Sequence, residues 1–316
     1  MNNDRIQEIL DLMEEARLDY FLISDPQSIA YCTGYYNDPH ERMFVFMISK
    51  HGNHTLFMND LFYLDHDLDV NIVWHKDGQD AIQTIVDEMH FPGRIGIDKN
   101  WASHFLLDLM KKLPDAKYIN ASPCVDLVRM KKVLQEQVLM IESSKINDAV
   151  MEEIIPFIQE DVTEKQLAKK LDELFFNHHS TCYGAIVAFG KNAADPHHEN
   201  DDTPLRKGDC VLIDMGCVYK GYCSDMTRTF FYEGILEEEI KVYEIVKKAN
   251  EAAEAMIKPG VKLSDIDKCA RKVISDEGYG KYFTHRLGHF IGRDVHEYGD
   301  VSSVNEMEVE EGMIFS

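Results

Sequence analysis

The chain is expected to fold as a two-domain α/β (α+β) protein, and three observations carry that expectation. It has 316 residues, enough for two domains of ordinary size. Residues 1–122 alternate helical and strand-like patterns, the order that builds a mixed sheet with helices packed on it. Residues 123–316 open on a long helical stretch, then give strands, further helical stretches and a segment dense in histidine and glycine.

Ile6, Ile9, Leu10, Met13 and Ala16 share one face of a helix over 4–17. DYFLIS follows as a buried strand, and MFVFMIS and HTLFMN flank HGN in the manner of a hairpin. Helices are expected over 79–90 and 103–113, with GRIGID between them and KYINA after. From 124 to about 160 Leu134, Val138, Ile141, Lys145 and Ile146 keep helical spacing, which predicts one long helix joining the domains. EDVTEKQLAKKLDEL (160–174) and PGVKLSDIDKCARKVI (259–274) align at an offset of about 99 residues. Val162 then meets Val261, Leu167 meets Ile266 and Leu174 meets Val273. That alignment fits an internal duplication, and it also fits two ordinary amphipathic helices.

The net charge of -23, from 33 basic and 56 acidic residues, argues against nucleic acid and anionic membrane as partners. Hydrophobic content of 45% is ordinary for a globular protein. The seven cysteines are scattered and show no CxxC pair, so reduced thiols and a cytoplasmic location are expected. MNNDRIQEIL lacks the basic and apolar runs of a signal peptide, and no apolar run is long enough to span a bilayer.

The candidate chemistry centres on Asp214 and Asp225 in DCVLIDMGCVYKGYCSDMTRTFF. Residues 210–217 and 223–231 read as strands joined by YKGY. A turn centred between Tyr219 and Lys220 sets Asp214 opposite Asp225. Facing like charges in an apolar hairpin are destabilising unless something positive lies between them. A pair of divalent cations roughly 3.5–4 Å apart would do so. In THRLGHFIGRDVHEYG, Gly288 and Gly292 flank His289, and a strand there would put His285, Leu287, His289 and Ile291 on one face. His296 precedes Glu297, and the HExxH pattern is absent. A neutral imidazole would complete an oxygen-rich site for manganese, cobalt or zinc. A loop over 188–209 carries His197 and His198 at its apex, catalytic groups or incidental members of a polar loop.

In their order and spacing, IVAFGKNAADPHH, GDCVLIDMG, GYCSDMTRTF, HRLGHFIG and DVHE resemble the pita-bread metallopeptidases that act on Xaa-Pro bonds, prolidase and aminopeptidase P. LDYFLISDPQSIAYCTGYYNDPHERMFVFMIS resembles the creatinase-type N-terminal domain found with them. The resemblance implies a creatinase-like domain over 1–122 and a duplicated pita-bread catalytic domain over 123–316. It implies hydrolysis of Xaa-Pro dipeptides by a hydroxide bridging two divalent cations, manganese first, with cobalt or zinc as alternatives.

By the same resemblance Asp214 holds one ion, Asp225 bridges both and His289 binds the second. His197 and His296 contact the small peptide substrate, a protonated histidine helps stabilise the oxyanion, and His285 lines the prolyl side. A homodimer is implied as well. Phe290 stands where many members carry glycine. Two further glutamate ligands are expected after a strand like GMIFS; the sequence ends at Ser316, so this chain is expected to be incomplete at its last strands and weak or inactive. The competing readings are aminopeptidase P, a metal-free creatinase-like amidinohydrolase and a non-catalytic binding relative.

Overall fold

The structure, a computed structural model, describes residues 1–90 and 92–316. It divides into two compact units, Met1–Arg129 and Met130–Ser316.

Unit 1 starts with α1 (Asn3–Glu15), whose first turn is capped by the Asn2 side chain accepting from Arg5 N. After β1 (Tyr20–Ile23), Asp25 caps α2 (Pro26–Thr33), Pro26 opens it, and Gly34 at φ 82° closes it. β2 (Val45–Ser49), β3 (Thr55–Asn59), β4 (Asn71–His75), α3 (Ala81–Glu88), β5 (Arg94–Ile97), α4 (Ser103–Lys112), β6 (Lys117–Asn120) and α5 (Ser122–Met130) follow. One sheet of order β4-β3-β2-β1-β5-β6 results. β1 runs parallel to β5 and antiparallel to β2. Phe21, Ile23, Phe46 and Ile48 pack on one face, and Tyr20, Leu22, Val45 and Met47 on the other. Burial on both faces explains why these strands read as unbroken apolar runs. Cys124, Val125 and Val128 of α5 pack in the first of these cores, and Arg129 Nη1 donates to Asp25 Oδ2 at 3.0 Å and Ser28 Oγ at 2.8 Å. The division therefore falls after Arg129, not at the expected 122.

Unit 2 contains α6 (Leu134–Ile154), α7 (Glu164–Asn177), β7 (Thr181–Cys182), β8 (Ile186–Phe189), β9 (Cys210–Met215), β10 (Cys217–Tyr219), β11 (Tyr222–Cys223) and β12 (Met226–Phe231). α8 (Glu237–Glu254), α9 (Leu263–Asp276), β13 (Gly288–His289) and β14 (Asp300–Val301) complete it. Two three-stranded sheets run β12-β9-β8 and β11-β10-β7. α6 and α7 bury Val150, Ile154, Leu167, Leu171 and Phe175 with Val187, Val211 and Ile213 of the first sheet.

The single helix expected from 124 to 160 is two. Residues 131–133 leave the helical path because their backbone pairs elsewhere: Lys131 bridges to Met313 and Lys132 N donates to Gly312 O at 2.8 Å. The suspected duplication is reproduced in backbone bonding. Leu205 N donates to Val162 O, and Val309 N to Val261 O; Glu164 N donates to Thr203 O, and Leu263 N to Met307 O. Lys165 N to Asp201 O and Ser264 N to Asn305 O make the third matching pair. Each helix-side partner is shifted by 99 positions. Two unrelated amphipathic helices have no reason to share this pattern. Among the described residues, no helix is long and apolar enough to cross a membrane.

Candidate active site

The aspartates are placed by a hairpin whose turn lies one residue later than expected. Val218 pairs with Cys223 and Tyr219 with Tyr222, so Lys220 and Gly221 form the two-residue loop. Both have positive φ, 49° and 81°, as a type I′ turn requires. Glycine meets that requirement without strain, which draws the turn toward Gly221. Asp214 consequently pairs with Thr227, not Asp225. The correction is a shift of two residues along the partner strand, and side chains alternate with a period of two. Both carboxylates therefore stay on one face. The two expected strands also break, into β9 with β10 and β11 with β12, at Gly216 and at Ser224–Asp225. A Cβ on Gly216 would lie 1.9 Å from Tyr183 Oη and 2.1 Å from Ser224 O, so only glycine fits at this crossing. Tyr183 Oη donates to Ser224 O at 2.8 Å and fixes the backbone next to Asp225.

Asp214 and Asp225 open into a cavity of about 850 Å³ that His197, His285, His289 and His296 also line. Six of the residues singled out in the sequence thus meet one space, whereas His198 turns away to Glu164. Asp214 Oδ1 accepts from Thr227 Oγ1 at 2.7 Å. Burial, with the nearby Asp225 charge, pushes the Asp214 carboxyl above its ordinary value despite that bond. Asp225 behaves oppositely. Burial alone would raise it, but the hydrogen bond and charge of His289 hold it below the ordinary carboxylate value. His289 Nε2 lies 3.3 Å from Asp225 Oδ2. His289 Nδ1 lies 3.2 Å from Phe290 O. Nε2 is therefore the ring nitrogen that faces Asp225, and Nδ1 the one that faces the Phe290 carbonyl.

His296 packs edge-on against His289 with ring centroids 4.1 Å apart. Burial, and then the His289 charge, lowers its pKa, so the neutral imidazole is favoured. His285 is exposed, with Nδ1 2.7 Å from Arg286 O. It does not share a regular strand with His289: β13 is only Gly288–His289, paired with β14. Phe290, fully buried, turns away onto Gly299 and the Phe315 ring, whose centroid is 5.4 Å off.

Two supporting groups were not singled out in the sequence as part of the site. Glu297 follows His296 and is buried against Lys132, with Nζ to Oε2 at 2.9 Å and side-chain exposures of 4% and 2%. Its Oε1 accepts from Arg293 N at 2.9 Å. Glu164, the first residue of α7, holds His198 and is completely buried. Position alone hides both, because a glutamate beside a histidine or at a helix start is ordinarily solvated. Tyr183 also lines the cavity without any periodic signal in its sequence.

The donor set of two carboxylates and one imidazole suits a divalent cation of the manganese, cobalt or zinc kind. The raised Asp214 carboxyl supports the fit, since a cation would relieve the two partly buried acids. Among the described residues, the group whose ligand atoms all lie within 4.8 Å of one another is instead Glu164, His198 and Asp201. Asp214, Asp225 and His289 are more widely spread than a cage for one ion.

The sequence profile of Metallopeptidase family M24 matches residues 138–316, and that of the Creatinase/Prolidase N-terminal domain matches residues 5–131. An uncharacterized peptidase of Staphylococcus aureus (strain MRSA252) is 32% identical over 321 residues, 99% of this chain and 90% of its own length. The crystal structure of recombinant prolidase from Thermococcus sibiricus is 30% identical and superposes with a TM-score of 0.92, covering 100% of this chain and 89% of that one. An Xaa-Pro dipeptidase from Bacillus anthracis is 25% identical with a TM-score of 0.89, over 99% and 88% of the two chains.

Proposed function

Because the chain belongs to metallopeptidase family M24 and carries a creatinase/prolidase-type N-terminal domain, we propose that it hydrolyses Xaa-Pro dipeptides with the aid of two divalent cations. The observation that carries this reading is the convergence of Asp214, Asp225 and His289 on one cavity whose wall holds three further histidines. The likeness to a prolidase and to an Xaa-Pro dipeptidase supports the substrate class.

Asp214, Asp225 and His289 would hold the ions, with Asp225 between the other two, since it approaches His289 and acts electrostatically on Asp214. When bound, such ions make water a nucleophile near neutral pH and neutralise a developing oxyanion. Thr227 keeps the Asp214 carboxylate oriented through its hydroxyl. His296, favoured neutral by burial, would donate one N–H to a substrate oxygen. The protonated histidine expected from the resemblance is therefore not assigned to His296. His197 would contact substrate from the opposite loop, and His285 would line the prolyl side. Manganese is the first candidate ion. A homodimer, a cytoplasmic location and the absence of nucleic acid or membrane partners belong to the same proposal. The seven cysteines are free thiols, which suits a reducing compartment.

The test strips the protein with chelator and adds back manganese, cobalt or zinc, then measures hydrolysis of Xaa-Pro dipeptides, Xaa-Pro-Yaa tripeptides and proline-free dipeptides. Metal-dependent cleavage confined to Xaa-Pro dipeptides is expected. Preference for the tripeptides would replace the reading by aminopeptidase P. Equal cleavage of proline-free dipeptides, or activity untouched by chelation, would overturn it.

A further inference from the structure

We propose that Glu164 and His198 form a clamp that holds the 190–203 loop in place and sets His197 at the cavity wall. Glu164 and His198 are positioning residues in this proposal, which rests on the Xaa-Pro peptidase reading and deepens it.

Glu164 is 0% exposed, and a carboxylate with no partner in such a place is strongly unfavourable. Four N–H donors reach it, and the Asp201 carboxyl also interacts with it. Oε1 accepts from Phe189 N at 2.8 Å and from Asn192 Nδ2 at 2.9 Å. Oε2 accepts from His198 Nε2 at 2.6 Å and from Asp201 N at 3.1 Å. Each oxygen thus meets two N–H donors, about as many as a carboxyl oxygen can accept. The site at the start of α7 also favours negative charge through the helix dipole, and the Thr163–Gln166 capping box fixes that turn. The grouping of Glu164, His198 and Asp201 is thereby explained without a cation, because the lone pairs a metal would need are occupied.

These donors bracket His197 in the chain. Phe189 and Asn192 precede it, and His198 and Asp201 follow it. Asp195 Oδ1 accepts from His197 N at 3.0 Å, and Asp195 O accepts from His198 N at 3.2 Å. Asn200 ties the far end to β8, accepting from Val187 N and donating to Ala185 O. His198 is thus drawn in to Glu164 while its neighbour His197 is left facing the cavity. The Glu164 hydrogen bond raises the His198 pKa, which favours the charged imidazole as donor. Glu164 does not line the cavity, so its effect on substrate passes through the loop.

The test compares the protein with its His198→Ala and His198→Gln variants, each loaded with manganese. The readouts are amide hydrogen exchange over 190–203, and kcat and KM for an Xaa-Pro dipeptide. His198→Ala is expected to speed exchange across the loop and to lower kcat/KM by about 10–100-fold, the scale of a small misplacement of a reacting group. His198→Gln, whose amide N–H can replace the imidazole donor, is expected to restore both in large part. Unchanged exchange in His198→Ala overturns the clamp, and so does faster exchange with wild-type kinetics. If the unaltered protein cleaves no Xaa-Pro peptide, the peptidase reading falls, while the exchange comparison still decides whether the clamp exists.

Discussion

Replacing Asp214 by asparagine is expected to cut Xaa-Pro dipeptide hydrolysis by about a thousandfold or more, and to stabilise the metal-free protein. The first effect follows from removing a charged ligand, whose contribution with its ion is several kcal/mol of transition-state charge stabilisation. The second follows from the cavity. Asp214 is pushed above its ordinary value of 3.8 by burial and by Asp225, so its ionised form is disfavoured in the folded state. Its contribution at neutral pH is therefore destabilising, and disappears as pH falls through the raised pKa toward 3.8. The asparagine amide keeps an acceptor for Thr227 and carries no charge. Asp225 has the opposite sign. Its depressed pKa gives stability above 3.8 that is lost as pH falls through the depressed value. Scanning calorimetry of metal-free protein from about pH 7 to about pH 4 checks this. The advantage of Asp214→Asn should be largest at the neutral end and shrink on acidification. A variant less stable than the parent at neutral pH would mean that Asp214 serves folding and not a cation.

Glu297→Ala is expected to produce the largest loss of stability in unit 2, about 3–5 kcal/mol, the usual result of leaving one partner of a buried ion pair behind. The Lys132 ammonium would lose the carboxylate 2.9 Å away, and Arg293 N would lose its acceptor. Gly292 is part of this arrangement, because a Cβ there would lie 2.7 Å from the Glu297 carboxyl. Replacing both charges by apolar residues, Lys132→Met with Glu297→Leu, should recover much of the loss, since no charge is then stranded. His296 is carried on the same turn, so Glu297→Ala should also raise KM. Both tryptophans, Trp74 and Trp101, lie in unit 1, so calorimetry is the suitable probe of unit 2. A change under about 1 kcal/mol, the scale of an exposed pair, would show that the Lys132–Glu297 pair does not hold unit 2 together.

The elements that could be read from sequence are those whose signal is local. DYFLIS, MFVFMIS, HTLFMN, GRIGID and KYINA all contribute to one sheet, and the helices over 4–17 and 103–113 are found with end shifts of at most two residues. α2 and β4 carry no such signal: Asp25, Pro26 and Gly34 are loop-type residues, although here they are the cap, opening and stop of a helix of 8 residues. The boundary at 131–133 was hidden because nothing in the sequence marks its pairing with Gly312 and Met313, far along the chain. The hairpin register missed by two, an even number, so the faces of Asp214 and Asp225 could still be read. The histidines announced themselves through flanking glycines and a turn-rich loop. Their supports, Glu164 and Glu297, did not, since burial of a glutamate is decided by what folds over it.

Diffraction from crystals grown with manganese will show whether Asp214, Asp225 and His289 together receive divalent cations. Anomalous manganese density is expected within coordination distance of Asp225 and shared with Asp214 and His289, with none at Glu164, whose oxygens are filled by N–H donors. Manganese between Glu164, His198 and Asp201, with the Asp214–Asp225 cavity empty, would place the cation site elsewhere and remove the basis for the peptidase reading.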